Sequence, residues 1–285
     1  MAAISSLAGS VRERAAGAAF DVGGGAGASS DAHLQTSAIS IQNCSLTFGS
    51  VRVLNEVSLD VRSGEFISIL GPSGCGKSSL LRLILGLLQP DQGGGITLHV
   101  PREEIGIVFQ KPVLMPWQTA IQNIELPLNI GPQRAKQSKA ERRERAEWTL
   151  ELVGLADFRN HYPQQLSGGM QQRIAIARAL AAYPTILLMV APIGALDEFT
   201  REKLNIELLR LWANPDTKLN TVVMVTHSIQ ESVLMSDRIV MMSPRPANVS
   251  DIVQVPLAHP REAEMQELPA FLSTVREIRK QVKAL

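Results

Sequence analysis

The string GPSGCGKSS at positions 71–79 follows the apolar run EFISIL and precedes KSSLLRLILGLL. It satisfies G-x-x-x-x-G-K-[ST] in the context that motif needs, a strand before and a helix after. Glycines let the backbone curl so that its N–H groups point inward at phosphate oxygens, and the helix start adds the positive end of a dipole. Gly71, Ser73, Gly74, Cys75, Gly76, Lys77, Ser78 and Ser79 are the expected nucleotide-binding residues. Lys77 would reach the β- and γ-phosphates, and the Ser78 hydroxyl would ligate Mg²⁺. Alone, the loop says only that a nucleotide binds. A small-molecule kinase, a GTPase or a helicase could carry it equally well.

The pattern around the loop sets the fold class. Between Ile39 and Val61 apolar and polar residues alternate about a Gly-Ser turn, the period of antiparallel strands with one wet face. EFISIL, IGIVF, TILLMV, TVVMVTH and RIVMMS are short runs rich in β-branched residues, as buried parallel strands should be. The stretch 111–180 between IGIVF and TILLMV is mostly helical in pattern and reads as an inserted subdomain. The expected architecture is therefore α/β: a phosphate-loop domain with N-terminal antiparallel strands and an inserted helical subdomain.

Residues 1–38 are rich in Ala, Gly and Ser and lack the continuous apolar centre of a secretory signal, so they read as a disordered extension. The nucleotide-binding domain is expected over 39–255. Residues 256–285 form a helical tail, too short for an added β domain. In the run from Arg134 to Arg145, arginines alternate with Glu141 and Glu144, with Glu147 just beyond, at spacings that allow pairs along a helix, which favours a solvated face over a binding patch.

Lys and Arg total 28 against 27 Asp and Glu, a net charge of +1, so no whole-protein field draws in nucleic acid. Cys44 and Cys75 are too few for a disulfide framework or a four-ligand zinc site and fit a reducing compartment. The longest apolar runs fall short of the ~20 residues a membrane helix needs, so membrane contact is expected through a partner.

A second motif narrows the choice. LSGGMQQRIAIARAL places Ser167, Gly168 and Gly169 before a helix, offering a hydroxyl, bare N–H groups and a dipole end together. One phosphate-loop domain needs no second γ-phosphate site. The economical explanation is that this one serves the nucleotide of another subunit, in a head-to-tail pair with two composite sites.

GPSGCGKSS, VFQKP, LSGGMQQR, GALD and VTHS occur in the order and approximate spacing of the ATP-binding subunits of ABC transporters, which the chain resembles over about 39–255. Within that family, FQKPVLMPWQTAIQNIELPL and MMSPRPANV look like the nitrate, sulfonate and taurine importers. The resemblance implies ATP and Mg²⁺ as cofactors. Phe48 resembles the aromatic that stacks on adenine, with a strand-end core residue as the alternative. Gln110 resembles the glutamine that meets Mg²⁺ and the attacking water, and His227 the histidine that contacts the γ-phosphate. Ser167, Gly168, Gly169 and Gln171 would face the partner's nucleotide, and Asp197 would couple the two sites. The segment after Gln110, through PVLMPWQ, would meet a membrane permease.

The chain departs from that family at TILLMVAP. Val190 and Ala191 stand where the family carries an Asp that holds the Mg²⁺ hydration shell and a Glu that acts as general base. Neither side chain has an acceptor. Glu198 lies beyond Pro192 and Gly194, and using it as the base would empty the coupling loop around Asp197.

Two function classes follow from the resemblance. The first is the ATP-hydrolysing subunit of an importer for a small oxyanion or organosulfur nutrient, peripheral on the cytoplasmic face of the membrane. Its partners would be permease subunits, a second ATP-binding subunit and, indirectly, a periplasmic or lipid-anchored substrate-binding protein. The second is a subunit that binds ATP and completes a partner's site without hydrolysing at its own. Soluble ABC proteins of translation or repair usually carry two such domains or a long coiled coil, neither of which is present here.

Overall fold

A computed structural model describes residues 36–190 and 197–284. The expected extension lies almost wholly outside the described residues, and so does Ala191. Strands β1 (Ser37–Phe48) and β2 (Val51–Arg62) form a hairpin, and β4 (Gly95–Leu98) joins β1 to complete a three-stranded antiparallel sheet. The turn needs a left-handed backbone at Gly49, with φ of 59°, which glycine adopts without steric cost. Val57, Leu59 and Val61 are buried while Ser58 and Asp60 face solvent, the alternation read in the sequence.

The second sheet runs β5 (Ile105–Val108), β6 (Ile186–Val190), β7 (Thr221–Thr226), β3 (Phe66–Leu70), β8 (Arg238–Met242), β9 (Val249–Gln254). Its first five strands are parallel and β9 closes the edge antiparallel. The parallel strands are covered on both faces, so they are largely apolar and successive side chains enter different cores, whereas β9 is mostly exposed. Phe66, Leu70, Leu187, Met189, Val222 and Met224 pack on the side of the helical segment. Ile67, Ile69, Ile186, Leu188, Val223 and Val225 pack on the other, against the antiparallel sheet and helix α1 (Lys77–Ile84).

Between β5 and β6 lie α2 (Ala120–Ile130), the short α3 (Gln133–Lys136), α4 (Lys139–Leu152) and α5 (Gly168–Ala181). Ser138 and Glu141 form a reciprocal cap at the start of α4, Glu141 N–H donating to Ser138 Oγ and Ser138 N–H to Glu141 Oε2. Arg143 pairs at 2.9 Å with both Glu147 on its own helix and Glu125 on α2, as the charge spacing anticipated for a solvated face. Helices α6 (Glu198–Ala213), α7 (Ile229–Met235) and α8 (Pro269–Ala284) follow.

Two polar clusters fix the frame. Arg238 at the start of β8 is bidentate to Glu65, at 2.7 and 2.6 Å, with both side chains buried. Further along, the buried Arg261 guanidinium donates to the carbonyls of Val233, Leu234 and Ser236 at the end of α7. It also meets Asp237, which accepts from His259 at 2.7 Å and from the Phe66 N–H at 2.9 Å. That cluster ties the tail to the central strand.

Candidate functional site

The strand registers bring the motif residues to one edge. Leu70 pairs with Thr226, Val190 with Val225 and Val108 with Met189, so β3, β7, β6 and β5 end side by side. Gly71 follows β3, His227 follows β7, and Gln110 lies two residues beyond β5. The carboxyl edge of a parallel sheet is where α/β folds place ligands.

The phosphate loop has the shape expected of a cradle. Gly74 and Gly76 adopt φ of 77° and 129°, in the region that favours glycine. A Cβ on Gly76 would meet Leu54 Cδ2 at 2.8 Å, and one on Gly71 would meet the Met242 carbonyl oxygen at 2.9 Å. Lys77 is buried, and its Nζ donates to the carbonyls of Gly71 at 2.6 Å and Pro72 at 2.7 Å, with Cys75 Sγ at 3.8 Å. The ammonium is thus parked on loop oxygens. Ser73, Gly74 and Ser78 are exposed, Gly76 and Ser79 half-buried and Cys75 buried.

His227 and Gln110 are exposed at the same edge. Buried Thr226 donates to Glu231 Oε2 at 2.7 Å and accepts from the Ser228 N–H at 3.0 Å, which sets the turn carrying His227. Buried Gln172 on α5 donates to the Phe109 carbonyl at 3.2 Å, fixing the backbone beside Gln110. Phe48, 47% exposed, ends β1, so the core alternative is not what the structure shows. Val190 packs partly buried against the core on the α1 side. Residue 190 therefore faces the layer from which Lys77 and Ser78 start.

Ser167 caps α5, its Oγ accepting from the Met170 N–H at 3.3 Å, and remains exposed with Gly168. Gln171 instead turns inward and donates to the carbonyls of Pro163 and Leu166. Asp197 is exposed and caps α6 through the Thr200 N–H at 3.0 Å, and that bond holds its carboxyl below the usual range. A Cβ on Gly169 would meet Thr200 Cγ2 at 2.9 Å, so the start of α6 lies against the start of α5.

A separate surface lies after Gln110. Arg178 on α5 donates to the carbonyls of Pro112 and Val113 at 2.8 and 2.9 Å, and Val113 holds φ of 46°, rare for a β-branched residue. Fully buried Asn123 binds the Met115 backbone through both N–H and carbonyl, and also the carbonyls of Gln118 and Thr119. The firmly held loop displays Val113 at 57% and Trp117 at 71% exposure, beside exposed Phe109.

The model of the ABC transporter family matches residues 54–193. The taurine import ATP-binding protein TauB of Jannaschia sp. is 38% identical over 253 residues, covering 84% of this chain and 92% of that protein. The chain belongs to the ABC transporter ATP-binding family. The nitrate import ATP-binding protein NrtD of Synechococcus elongatus is 43% identical over 223 residues, 76% of this chain and 79% of that protein. Among solved structures, the dimeric ABC transporter cassette MJ0796 is 37% identical with a TM-score of 0.65, covering 77% of this chain and 99% of its own. The expected fold class holds for this ABC protein, down to the antiparallel sheet beside the phosphate-loop sheet.

Two supports of the site were not read from the sequence. Arg245, in the loop between β8 and β9, donates through Nε and Nη2 to the Gly74 carbonyl. Asp91 receives the Thr47 N–H at 3.2 Å and its Oγ1 at 2.8 Å, bracing the end of β1 one residue before Phe48. MMSPRPANV drew notice only as a family likeness, and nothing in the spacing marks Asp91.

Proposed function

We propose that this chain is the ATP-binding subunit of an importer for a small oxyanion or organosulfur solute, seated peripherally on the membrane through permease subunits. The alignment of four strand ends around an intact phosphate loop carries this reading, and the taurine and nitrate import relatives supply the solute class. Lys77 would hold the phosphates, Phe48 would stack on adenine, and Ser78 with Gln110 would offer Mg²⁺ a hydroxyl and an amide oxygen. His227 would meet the γ-phosphate. Ser167 and Gly168 would complete a second subunit's site, with Asp197 between the two. That the MJ0796 cassette is dimeric, and was also seen bound to ADP and Pi, supports such a pair. The exposure of Val113 and Trp117 on one hydrogen-bonded loop supports permease docking, because exposed apolar surface gathered in one place marks contact sites.

The test is uptake by cells lacking this chain. Loss of either taurine or nitrate uptake, restored by the wild-type chain and not by Lys77→Ala, supports the reading. Unchanged uptake of both, with Mg-ATP failing to bind the purified chain, sinks it.

A second reading is favoured by Val190: the chain binds ATP but hydrolyses it poorly at its own site. The apolar side chain at 190 lies on the phosphate-loop side of the sheet, where the family carries its metal-positioning acid. A partner with its own acids would then turn over at the site this chain completes. Turnover by the purified chain beside a Val190→Asp/Ala191→Glu variant separates the readings.

A further inference from the structure

A cavity of about 430 Å³ lies away from the nucleotide edge, between α4 and the segments leading into β6 and β7, within the size range of small-molecule pockets. Trp148 and Tyr183 form its aromatic wall. Arg145 orders that wall: its guanidinium carbon lies 4.2 Å from the Trp148 ring centre and 4.0 Å from that of Tyr183. Its Nη2 donates to the Leu180 carbonyl at 2.9 Å, so the guanidinium is committed to the last turn of α5. Tyr183 takes φ of 57°, a strained backbone that presents its ring here.

The polar groups left over share one character. Gln137 donates through Nε2 to the Tyr183 hydroxyl at 3.2 Å, leaving its Oε1 buried with no hydrogen-bond partner. The carboxylates of Glu144 and Asp216 make no hydrogen bond or ion pair among the described residues. A buried acceptor without a donor is costly, and aromatic faces and carboxylates both favour positive charge. Glu141, Glu144 and Asp216 outnumber Arg145 and Lys218, the latter's ammonium lying 6.0 Å from the Tyr183 ring centre, so the balance of charge favours a cation.

We propose that this cavity binds a small organic cation carrying ammonium or guanidinium groups, paired with Glu144 and Asp216, donating to Gln137 Oε1 and resting on the Trp148 and Tyr183 wall. Glu144 belongs to the inserted helical stretch, whereas Tyr183 and Asp216 belong to the sheet-bearing core. An occupant would touch both.

The probe is agmatine, titrated into the nucleotide-free full chain by calorimetry and tryptophan fluorescence. Binding at one site is expected, weakening as salt screens the charges. The Glu144→Gln/Asp216→Asn variant, both positions being exposed, should bind about tenfold more weakly, the upper part of the scale for two exposed ion pairs. Trp148→Phe should lose the fluorescence change while keeping the heat. Lys77→Ala should bind agmatine like wild type, which separates this site from the nucleotide site. No heat with agmatine at about 10 mM, well above the millimolar dissociation constants of weak ligands, would overturn the proposal. Equal binding by the double carboxylate variant, or saturable binding of sulfate at the same site, would overturn it too.

Discussion

The Lys77 ammonium lies 2.6 Å from the Gly71 carbonyl oxygen, inside the loop whose phosphate ligand it is proposed to hold. With the Pro72 carbonyl at 2.7 Å it forms a pair of charge-assisted hydrogen bonds that phosphate oxygens would replace. Nucleotide entry would thus be an exchange of partners for one buried cation. Hydrogen bonds to a charged group contribute about 1.5–3 kcal/mol, so Lys77→Ala should weaken Mg-ATP binding by about 10- to 100-fold. Equilibrium titration measures it, with a melting curve to show that the variant stays folded.

Val190→Asp with Ala191→Glu should raise turnover by the purified chain. A positioned general base contributes about 10²–10⁴-fold, and most of the gain is expected from Ala191→Glu. Because residue 190 is half-buried against the core on the α1 side, the new aspartate should also cost about 1–3 kcal/mol without Mg²⁺. Faster turnover with a lower Tm is the signature to look for. If the native chain already hydrolyses as fast as the variant, another residue supplies the base.

Much of this was legible because the period of the sequence and the layers of the fold are the same fact. A strand buried on both faces must be apolar throughout, and a glycine-rich loop between such a strand and a helix admits few alternatives. The expectation that Lys77 meets phosphate was legible in the motif, but its hydrogen bonds to the Gly71 and Pro72 carbonyls were not, since spacing says nothing of side-chain partners. Gln171 sits within the signature, yet its amide is engaged by the Pro163 and Leu166 carbonyls. Arg245 and Asp91 escaped notice because each acts on a single residue, Gly74 or Thr47, from a loop distant in sequence, which leaves no periodic trace. Helix α1 stops at Ile84, short of the apolar run to Leu88, because the chain turns at Gly86 with φ of 71°.

Glu65→Ala should destabilise the fold by about 3–5 kcal/mol, since it strands a buried guanidinium. The bidentate geometry and matching burial of Glu65 and Arg238 put the pair at the high end of that range. Removing both charges, as in Glu65→Leu/Arg238→Met, should cost less, about 1–3 kcal/mol. The residual arises because the Asp60 carbonyl and the Arg62 N–H also lose their partners. Urea unfolding of Glu65→Leu, Arg238→Met and the double variant gives the coupling directly.

Acid should undo the cluster around Asp237. Burial alone would raise that carboxyl's pKa, but the hydrogen bonds from His259 and the Phe66 N–H, with the charges of His259 and Arg261, outweigh it and hold the pKa below the usual range. Arg261 moves the other way from what its partner's charge favours. Its buried side chain is stripped of water, which brings it down to about 10, still protonated at neutral pH. A carboxyl depressed in the folded state stabilises the fold above its unfolded value of about 3.9, and that stability is lost as pH falls through the lower folded value. Stability measured by urea titration should therefore hold this contribution at neutral pH and drop below about pH 4. Asp237→Asn should be less stable at neutral pH and should show a shallower acid limb. A wild-type acid limb no steeper than that of the variant would remove Asp237 as its source.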